Sequence, residues 1–218
     1  MARTRIKVCG VRDVEAIDAC AEAGVDAIGL MLIERSPRYI QPEDAFELSG
    51  VLPPFMSAVA VVADLSVDQF NDMEQRCPAP LVQLHGSESE KTVQSCGPGV
   101  VKAFRYEDAT IATQLPRWNA IDEVDAILVD GSAGGEGKSF EWGRLAEAID
   151  AMDQTPGGPL LKPLIVAGGL TPETVGDAIR SLRPYAVDVS SGVESEPGVK
   201  DPVRIRAFAE AVAQADSA

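Results

Sequence analysis

Histidine and paired cysteines are scarce in this sequence. The chain has one histidine, His85, and four cysteines that form neither a C-x-x-C pair nor a Cys/His zinc pattern. We therefore expect neither a structural zinc site nor a disulfide framework. Cations are also in the minority: the chain has 19 lysines and arginines and 34 aspartates and glutamates, for a net charge of −15. A chain this acidic is not expected to bind nucleic acid or an anionic membrane surface.

Long apolar runs and targeting segments are missing as well. No run of about 18 apolar residues is present, so no membrane-spanning helix is predicted. The opening residues, MARTRIKVCG, carry three positive charges but lead directly into a short strand, without the apolar core and cleavage site of a secretion signal. We therefore expect a cytoplasmic protein. At 218 residues, the chain is near the lower end of what an eight-unit α/β barrel needs.

Strand-like apolar runs alternate with amphipathic helical segments along the whole chain. The predicted strands are residues 5–9, 27–32, 57–63, 81–85, 100–104, 126–130, 164–167 and 186–189. The predicted helices are residues 13–23, 42–48, 66–76, one opening at 87, 140–152, one starting at 171, and 201–213. The pattern between 108 and 118 is indistinct. Eight such strands predict a parallel, closed (β/α)8 (TIM) barrel, with residues 1–218 forming a single domain. An open doubly wound sheet is the alternative, although no G-x-G-x-x-G follows the first strand.

The ends of strands seven and eight point to an anion site. Strand seven ends in Gly168-Gly169 and strand eight in Ser190-Ser191-Gly192, so both turns can present backbone N–H groups with little side chain in the way. In α/β barrels this is where a phosphate commonly binds. The alternative is that both are tight turns without a ligand, since glycine also serves wherever φ must be positive.

Side-chain alternation predicts an ion pair inside the barrel. If Cys9 points toward the barrel axis, Lys7 does too, because side chains along a strand alternate between its two faces. By the same argument Asp188 points inward from strand eight, which neighbours strand one in a closed barrel. We therefore predict a Lys7–Asp188 pair beneath the anion site. The alternative is a Lys7 side chain that escapes toward solvent or a helix.

Three reactive side chains stand at or just beyond predicted strand ends. Cys9 is expected to be an accessible thiol; its pKa, about 8.5 when free, must fall for it to act as a base, and cations such as Lys7 or Arg12 could lower it. Asp130 would suit a general acid if its surroundings are apolar, and would otherwise cap its loop. Arg38 could hold a carboxylate bidentately, or could be a solvated surface arginine.

Six segments that span nearly the whole chain carry a family resemblance. They are KVCG at residues 7–10, SPRY at 36–39, QLHG at 83–86, VDGSAGGEGKSFEW at 129–142, AGGLTPETV at 167–175 and RPYAVDVSSGVESEPGVKDP at 183–202. In these segments the chain resembles the phosphoribosylanthranilate isomerases of tryptophan biosynthesis. The resemblance implies a (β/α)8 barrel that performs an Amadori rearrangement of N-(5-phosphoribosyl)anthranilate to 1-(2-carboxyphenylamino)-1-deoxyribulose 5-phosphate, without metal or organic cofactor.

The resemblance also implies roles for individual residues. Cys9 would be the general base and Asp130 the general acid, with Arg38 on the anthranilate carboxylate. The phosphate would be held by the backbones of Gly168, Gly169, Ser190, Ser191 and Gly192, and Asp188 beneath them is counted with the substrate-binding residues. Apart from the resemblance, the glycine-rich composition of the loop after Asp130 suggests that this loop could fold over a ligand. The expected partner is a small phosphorylated substrate, and the protein is expected to be a monomer or a homodimer.

Two alternative functions remain at this point. A related sugar isomerase of histidine biosynthesis would share the barrel and the phosphate turns, but is expected to have an aspartate where Cys9 stands. A barrel that binds a phosphosugar without turning it over is the second alternative. A metal-dependent phosphopentose epimerase is disfavoured, because it would need several histidines at strand ends.

Overall fold

The fold is a closed barrel of eight parallel strands, as predicted, and a computed structural model describes it over residues 3–131, 142–152 and 158–217. The barrel strands are β1 (Arg5–Cys9), β2 (Ala27–Met31), β3 (Ser57–Val62), β4 (Leu81–Leu84), β5 (Val100–Arg105), β6 (Val124–Asp130), β7 (Leu164–Ala167) and β8 (Ala186–Val189). The helices are α1 (Val14–Glu22), α2 (Pro42–Gly50), α3 (Val67–Arg76), α4 (Glu90–Cys96), α5 (Ile111–Asn119), α6 (Trp142–Met152), α7 (Val175–Leu182) and α8 (Pro202–Asp216). Pairing of β1 with β8 closes the ring.

Helix starts follow local sequence signals. Asp13 caps α1 through its side chain, Ser66 forms a capping box with Gln69 at α3, and Asp201 caps α8 ahead of a first-turn proline. These side chains satisfy N–H groups that have no partner within the helix. These capping side chains therefore set where the three helices begin, and so where the preceding loops at the top of the barrel end.

Strand alternation divides the core into an inner and an outer layer. The inner cluster consists of small or medium apolar side chains on four consecutive strands: Val101, Ala103, Ala126, Leu128, Ile165, Ala167 and Ala186. The alternate residues of these strands pack outward against the helices, in two larger apolar clusters. Because every strand is covered on both faces, the strands read as continuous apolar runs rather than as alternating ones.

The largest differences between the helices and the prediction are at α4, α5, α7 and α8. Helix α5 fills the region where the pattern is indistinct; it buries Ile111, Leu115 and Trp118, although Pro116 inside it removes one N–H donor. Helix α4 begins three residues later than expected, after its cap at Ser89, and α7 begins four residues later, after a turn at residues 172–174. Helix α8 runs to Asp216. The expected start of the sixth helix at residue 140 lies outside the described residues.

A small hairpin between β8 and α8 is an addition to the eightfold repeat that the sequence pattern did not reveal. It follows a short 3₁₀ turn and pairs β9 (Glu194–Glu196) with β10 (Val199–Lys200) in antiparallel register. Gly198 at its tip has φ +87°, and a Cβ there would lie 2.8 Å from the Pro37 carbonyl oxygen. The hairpin therefore presses closely on the loop between β2 and α2.

None of the helices within the described ranges is long and apolar enough to cross a membrane. All four cysteines are described, and each is buried with a free thiol. The absence of disulfides among them agrees with the sequence-based expectation.

Candidate active site

A cavity of about 250 Å³ opens at the carboxyl ends of the strands, and most of the predicted site residues line it. Its lining residues are Cys9, Met31, Arg38, Gln83, His85, Asp130, Ala167, Gly168, Gly169, Leu170, Asp188, Ser190 and Ser191. These residues come from β1, β2, β4, β6, β7 and β8 or from the loops that follow them. Eight of the nine residues predicted from the sequence thus share one cavity, and the ninth, Gly192, lies beside it.

Gly192 permits a close approach between the last two strand-to-helix turns. A Cβ at this position would lie 1.9 Å from the Leu170 carbonyl oxygen, which is far below contact distance. Only a residue without a side chain therefore fits where the turn after β8 meets the turn after β7. The structure places Gly192 against this neighbouring backbone rather than in the cavity lining.

The turn after β7 has the backbone that its two glycines predict. Gly168 has φ +98° and Gly169 has φ +65°, both in the region that residues with a Cβ rarely adopt. A Cβ at Gly169 would meet no atom within 4 Å, so the requirement for glycine there comes from backbone conformation rather than from space. The turn after β8 is tied to β1, because Ser190 Oγ donates to the Cys9 carbonyl oxygen at 3.0 Å.

The predicted ion pair below the cavity is confirmed. Lys7 Nζ donates to Asp188 Oδ1 at 3.0 Å, and both side chains are buried. Lys7 and Asp188 are register partners on the adjacent strands β1 and β8. Burial disfavours the charged form of Lys7, but Asp188 and Cys9 together outweigh burial and keep the pKa of Lys7 above its ordinary value. The floor of the cavity therefore carries a fixed charge pair with no net charge.

Cys9 is less accessible and less acidic than the sequence suggested. Its residue exposure is only 5 %, and burial raises the pKa of its thiol. Lys7 and Lys200 act in the opposite direction, as expected of cations, but burial is the larger effect. Lys7 thus favours the thiolate, as the sequence suggested, but burial sets the net direction of the Cys9 pKa. The thiol nevertheless lies inside the barrel, where Gly29 makes room for it: a Cβ there would be 2.7 Å from Cys9 Sγ.

Asp130, the last residue of β6, lies beside a histidine on the cavity wall. His85 Nε2 lies 3.6 Å from Asp130 Oδ2, and His85 Nδ1 is 2.9 Å from the Gln83 side-chain amide nitrogen. With Nδ1 accepting from Gln83, the neutral ring carries its proton on Nε2, toward Asp130. The amide oxygen of Gln83 is buried and has no hydrogen-bond partner among the described residues. Three polar side chains therefore run in sequence along this wall of the cavity.

Arg38 does hold a carboxylate bidentately, but the carboxylate belongs to the same chain. Arg38 Nε and Nη2 each donate to Glu194 of the hairpin, at 2.7 Å. This pairing raises the pKa of Arg38 further. Gly10 lets the arginine cross close above β1, since a Cβ there would lie 2.5 Å from Arg38 Cδ. Arg38 is therefore a fixed, half-buried cation at the cavity wall and not a solvated surface arginine.

Glu194 and Lys200 are site residues that the sequence analysis did not single out. Lys200 Nζ donates to Glu194 Oε1 at 2.7 Å and to the Ser190 carbonyl oxygen at 3.1 Å. Both residues fall in the segment that carries the family resemblance. Two charged residues in a short stretch beyond the last strand were the available clue, but only the hairpin shows that they are buried together.

Two sequence-based expectations concern the glycine-rich loop and metal binding. The glycine-rich loop after Asp130, expected to fold over a ligand, lies outside the described residues apart from Gly131. No group of three or more histidine, cysteine, aspartate or glutamate side chains suited to a metal ion is found within the described part of the chain.

Comparison with known proteins gives consistent matches over nearly the full length. Residues 6–211 match the family model described as N-(5'phosphoribosyl)anthranilate (PRA) isomerase. The chain is 42% identical to N-(5'-phosphoribosyl)anthranilate isomerase of Moorella thermoacetica, covering 97% of this chain and 91% of that protein. It is 39% identical to the same enzyme of Geotalea uraniireducens, covering 94% and 96%.

Solved structures agree with these sequence matches. Phosphoribosyl anthranilate isomerase from Thermotoga maritima superposes with a TM-score of 0.84 at 33% identity, covering 97% of this chain and 99% of that one. A phosphoribosyl anthranilate isomerase in complex with reduced 1-(o-carboxyphenylamino)-1-deoxyribulose 5-phosphate gives a TM-score of 0.82 at 31% identity, with the same coverage. From the barrel, the cavity and these matches, the chain belongs to the N-(5'-phosphoribosyl)anthranilate isomerase family.

Proposed function

We propose that this protein converts N-(5-phosphoribosyl)anthranilate to 1-(2-carboxyphenylamino)-1-deoxyribulose 5-phosphate, with Cys9 and Asp130 as its acid–base pair. The observation that carries the proposal is that Cys9, Asp130 and both glycine- or serine-containing turns line a single cavity. An aldose-to-ketose rearrangement needs an acid and a base on either side of one held sugar. Family membership favours this reaction over the histidine-pathway alternative.

The acid and the base each carry out one proton transfer, and a tautomerisation then completes the reaction. Protonated Asp130 gives its proton to the furanose ring oxygen as the C1–O bond breaks, and the anilino nitrogen donates its lone pair to C1 to form an iminium ion. The Cys9 thiolate then removes the proton from C2, and the C2–H electron pair moves to neutralise the iminium. The resulting enolamine tautomerises to the ketone. Burial keeps the Cys9 pKa high, which makes the thiolate a strong base once it forms.

The two anionic ends of the substrate would be held by separate parts of the cavity. We assign the phosphate to the backbone N–H groups of Gly168, Gly169, Ser190, Ser191 and Gly192. We assign the anthranilate carboxylate to Arg38, whose guanidinium is fixed at the cavity wall by Glu194. Asp188 contributes indirectly, since it neutralises Lys7 beneath the phosphate turns. Holding both ends orients the sugar between acid and base, which lowers the entropic part of the barrier.

Three further assignments complete the proposal. Residues 1–218 form a single barrel domain, since strands and helices from both ends of the chain share its core. The protein acts in the cytoplasm, in keeping with tryptophan biosynthesis. It is a monomer or a homodimer; the structure of a relative from Thermotoga maritima describes generated monomers of a dimeric enzyme.

A turnover assay that follows the loss of substrate fluorescence tests this function. We expect the wild-type protein to turn over, and Cys9→Ala and Asp130→Asn each to lower kcat by at least about a hundredfold while substrate binding is kept. Cys20→Ala, which changes another buried cysteine, in α1, is the matched control and should keep its activity. Phosphate binding without turnover in the wild-type protein would instead favour a binding barrel, and normal turnover in either site variant would remove that residue from the mechanism.

A further inference from the structure

The hairpin after β8 brings a buried carboxylate and a buried ammonium group to the mouth of the barrel. Glu194 on β9 and Lys200 on β10 are register partners across the hairpin, with residue exposures of 7% and 8%. Charged residues are rarely buried to this degree unless they are paired. The hairpin lies outside the eightfold repeat, so its charges are not needed to close the barrel.

Glu194 is shared by two cations. Its Oε1 accepts from both Arg38 Nε and Lys200 Nζ, and its Oε2 accepts from Arg38 Nη2, each at 2.7 Å. Lys200 also donates to the Ser190 carbonyl oxygen, on the turn after β8. One ammonium group thus connects the residue that fixes Arg38 with a turn that lines the cavity.

The charges of this cluster do not cancel. Arg38 and Glu194 alone would form a neutral pair, and a neutral pair attracts an anion weakly. Lys200 adds a second cation, so the three side chains carry one net positive charge. The other buried pair at the cavity, Lys7 with Asp188, adds none. This matters because the chain as a whole carries a net charge of −15, which repels an anionic ligand.

We propose that Lys200 is a positioning residue for substrate binding: it offsets Glu194, so that Glu194 can fix Arg38 while the cavity wall keeps one net positive charge toward an anionic substrate. Lys200 does this from behind the cavity, since its side chain is only 1% exposed and its donors are used within the protein. The inference rests on the proposed function, because a substrate with a phosphate and a carboxylate is the ligand that this charge would attract.

A charge role and a purely structural role predict different results for paired substitutions. Lys200→Met removes the ammonium and leaves a neutral Arg38–Glu194 pair, with similar side-chain volume. Lys200→Met combined with Glu194→Gln again leaves one net positive charge, that of Arg38. If net charge decides binding, adding Glu194→Gln should restore the binding that Lys200→Met weakens. If the individual contacts decide binding, the double variant should bind more weakly than either single variant.

The test measures kcat and KM for N-(5-phosphoribosyl)anthranilate and the dissociation constant of inorganic phosphate. We expect Lys200→Met to raise KM and the phosphate constant by about tenfold, with kcat within about threefold, and the double variant to return to within about threefold of wild type. Lys91→Met, which removes an exposed lysine on α4, is the matched charge control and should bind like wild type.

Two results would overturn the inference: a Lys200→Met protein that binds like the Lys91→Met control, or a double variant that binds no better than Lys200→Met. Should Lys200→Met fail to fold, the double variant still tests the proposal. It should bind N-(5-phosphoribosyl)anthranilate and inorganic phosphate more weakly than Glu194→Gln, which retains two cations. Equal binding by these two variants would contradict the proposal. A wild-type protein that never turns over would count against the proposed function alone, because the phosphate constants test Lys200 without catalysis.

Discussion

Lys7 Nζ lies 3.0 Å from Asp188 Oδ1 inside the barrel, one side-chain layer below Cys9. The pair joins β1 to β8 where the ring closes, and it stands under the turn that begins at Ser190. Gly29 on β2 leaves space for this layer, because a Cβ there would lie 3.1 Å from Lys7 Nζ. The ion pair thus supports both the thiol and the last turn of the cavity.

Breaking this pair from one side should be costly. Lys7→Met leaves Asp188 buried without its partner, and we expect the free energy of unfolding to fall by about 3 to 5 kcal/mol. Lys7→Met combined with Asp188→Asn should lose clearly less, since no unpaired charge remains. Urea unfolding measures both. Arg76→Met, which breaks an exposed pair with Glu43, serves as the control and should change little. Equal losses for the single and double variants would contradict the charge argument.

The pH dependence of kcat/KM should report the burial of Cys9. Cys9, the proposed base, would act as a thiolate; burial raises the pKa of its thiol, while Lys7 and Lys200 favour the thiolate and Asp188 opposes it. The proposed mechanism also needs Asp130 protonated in the wild-type protein, so the Asp130→Asn variant is used to isolate the base. Because the folded pKa of Cys9 lies above the ordinary value, the residual kcat/KM of Asp130→Asn should keep rising with pH beyond about 8.5. A pH series on this variant checks the prediction. If kcat/KM in this series instead reached its plateau below about pH 8, the effect of the cations on the Cys9 pKa would outweigh that of burial.

The fold and much of the site were open to prediction because they depend on patterns repeated along the chain. Apolar strand runs alternating with amphipathic helical segments predicted the barrel, and alternation within a strand predicted the contact between Lys7 and Asp188. Parallel strands end at one rim, so residues as distant in sequence as Cys9 and Asp130 were expected near each other.

Other features depend on contacts that no local pattern encodes. Arg38 and Glu194 are 156 positions apart, and the hairpin that joins them is too short to show a strand period. The direction of the Cys9 pKa is set by burial against several opposing charges, a balance that needs the folded positions of all of them. Helix α5 escaped notice because it has nine residues with Pro116 inside.

Arg38 should affect substrate binding more than turnover. Arg38→Lys keeps the charge but cannot make the two parallel bonds to Glu194, so the cation is no longer fixed at the cavity wall. We expect KM to rise about tenfold for Arg38→Lys and further for Arg38→Ala, with kcat within about threefold of wild type. Arg206→Lys on α8, which changes an exposed arginine near Glu22, should behave as wild type. An unchanged KM would remove Arg38 from substrate binding.

Adding a single methyl group at Gly192 should disturb the proposed anion site. Its Cβ would lie 1.9 Å from the Leu170 carbonyl oxygen, so the backbones of the turns after β7 and β8 must move apart. We expect Gly192→Ala to lower the free energy of unfolding by about 1 to 3 kcal/mol. We also expect the inhibition constant of inorganic phosphate to rise about tenfold, since the two turns no longer converge. Gly50→Ala in α2 is the matched control: its Cβ meets no atom within 4 Å, so neither quantity should worsen. A Gly192→Ala protein with an unaltered phosphate constant would show that anion binding does not depend on the contact between these turns.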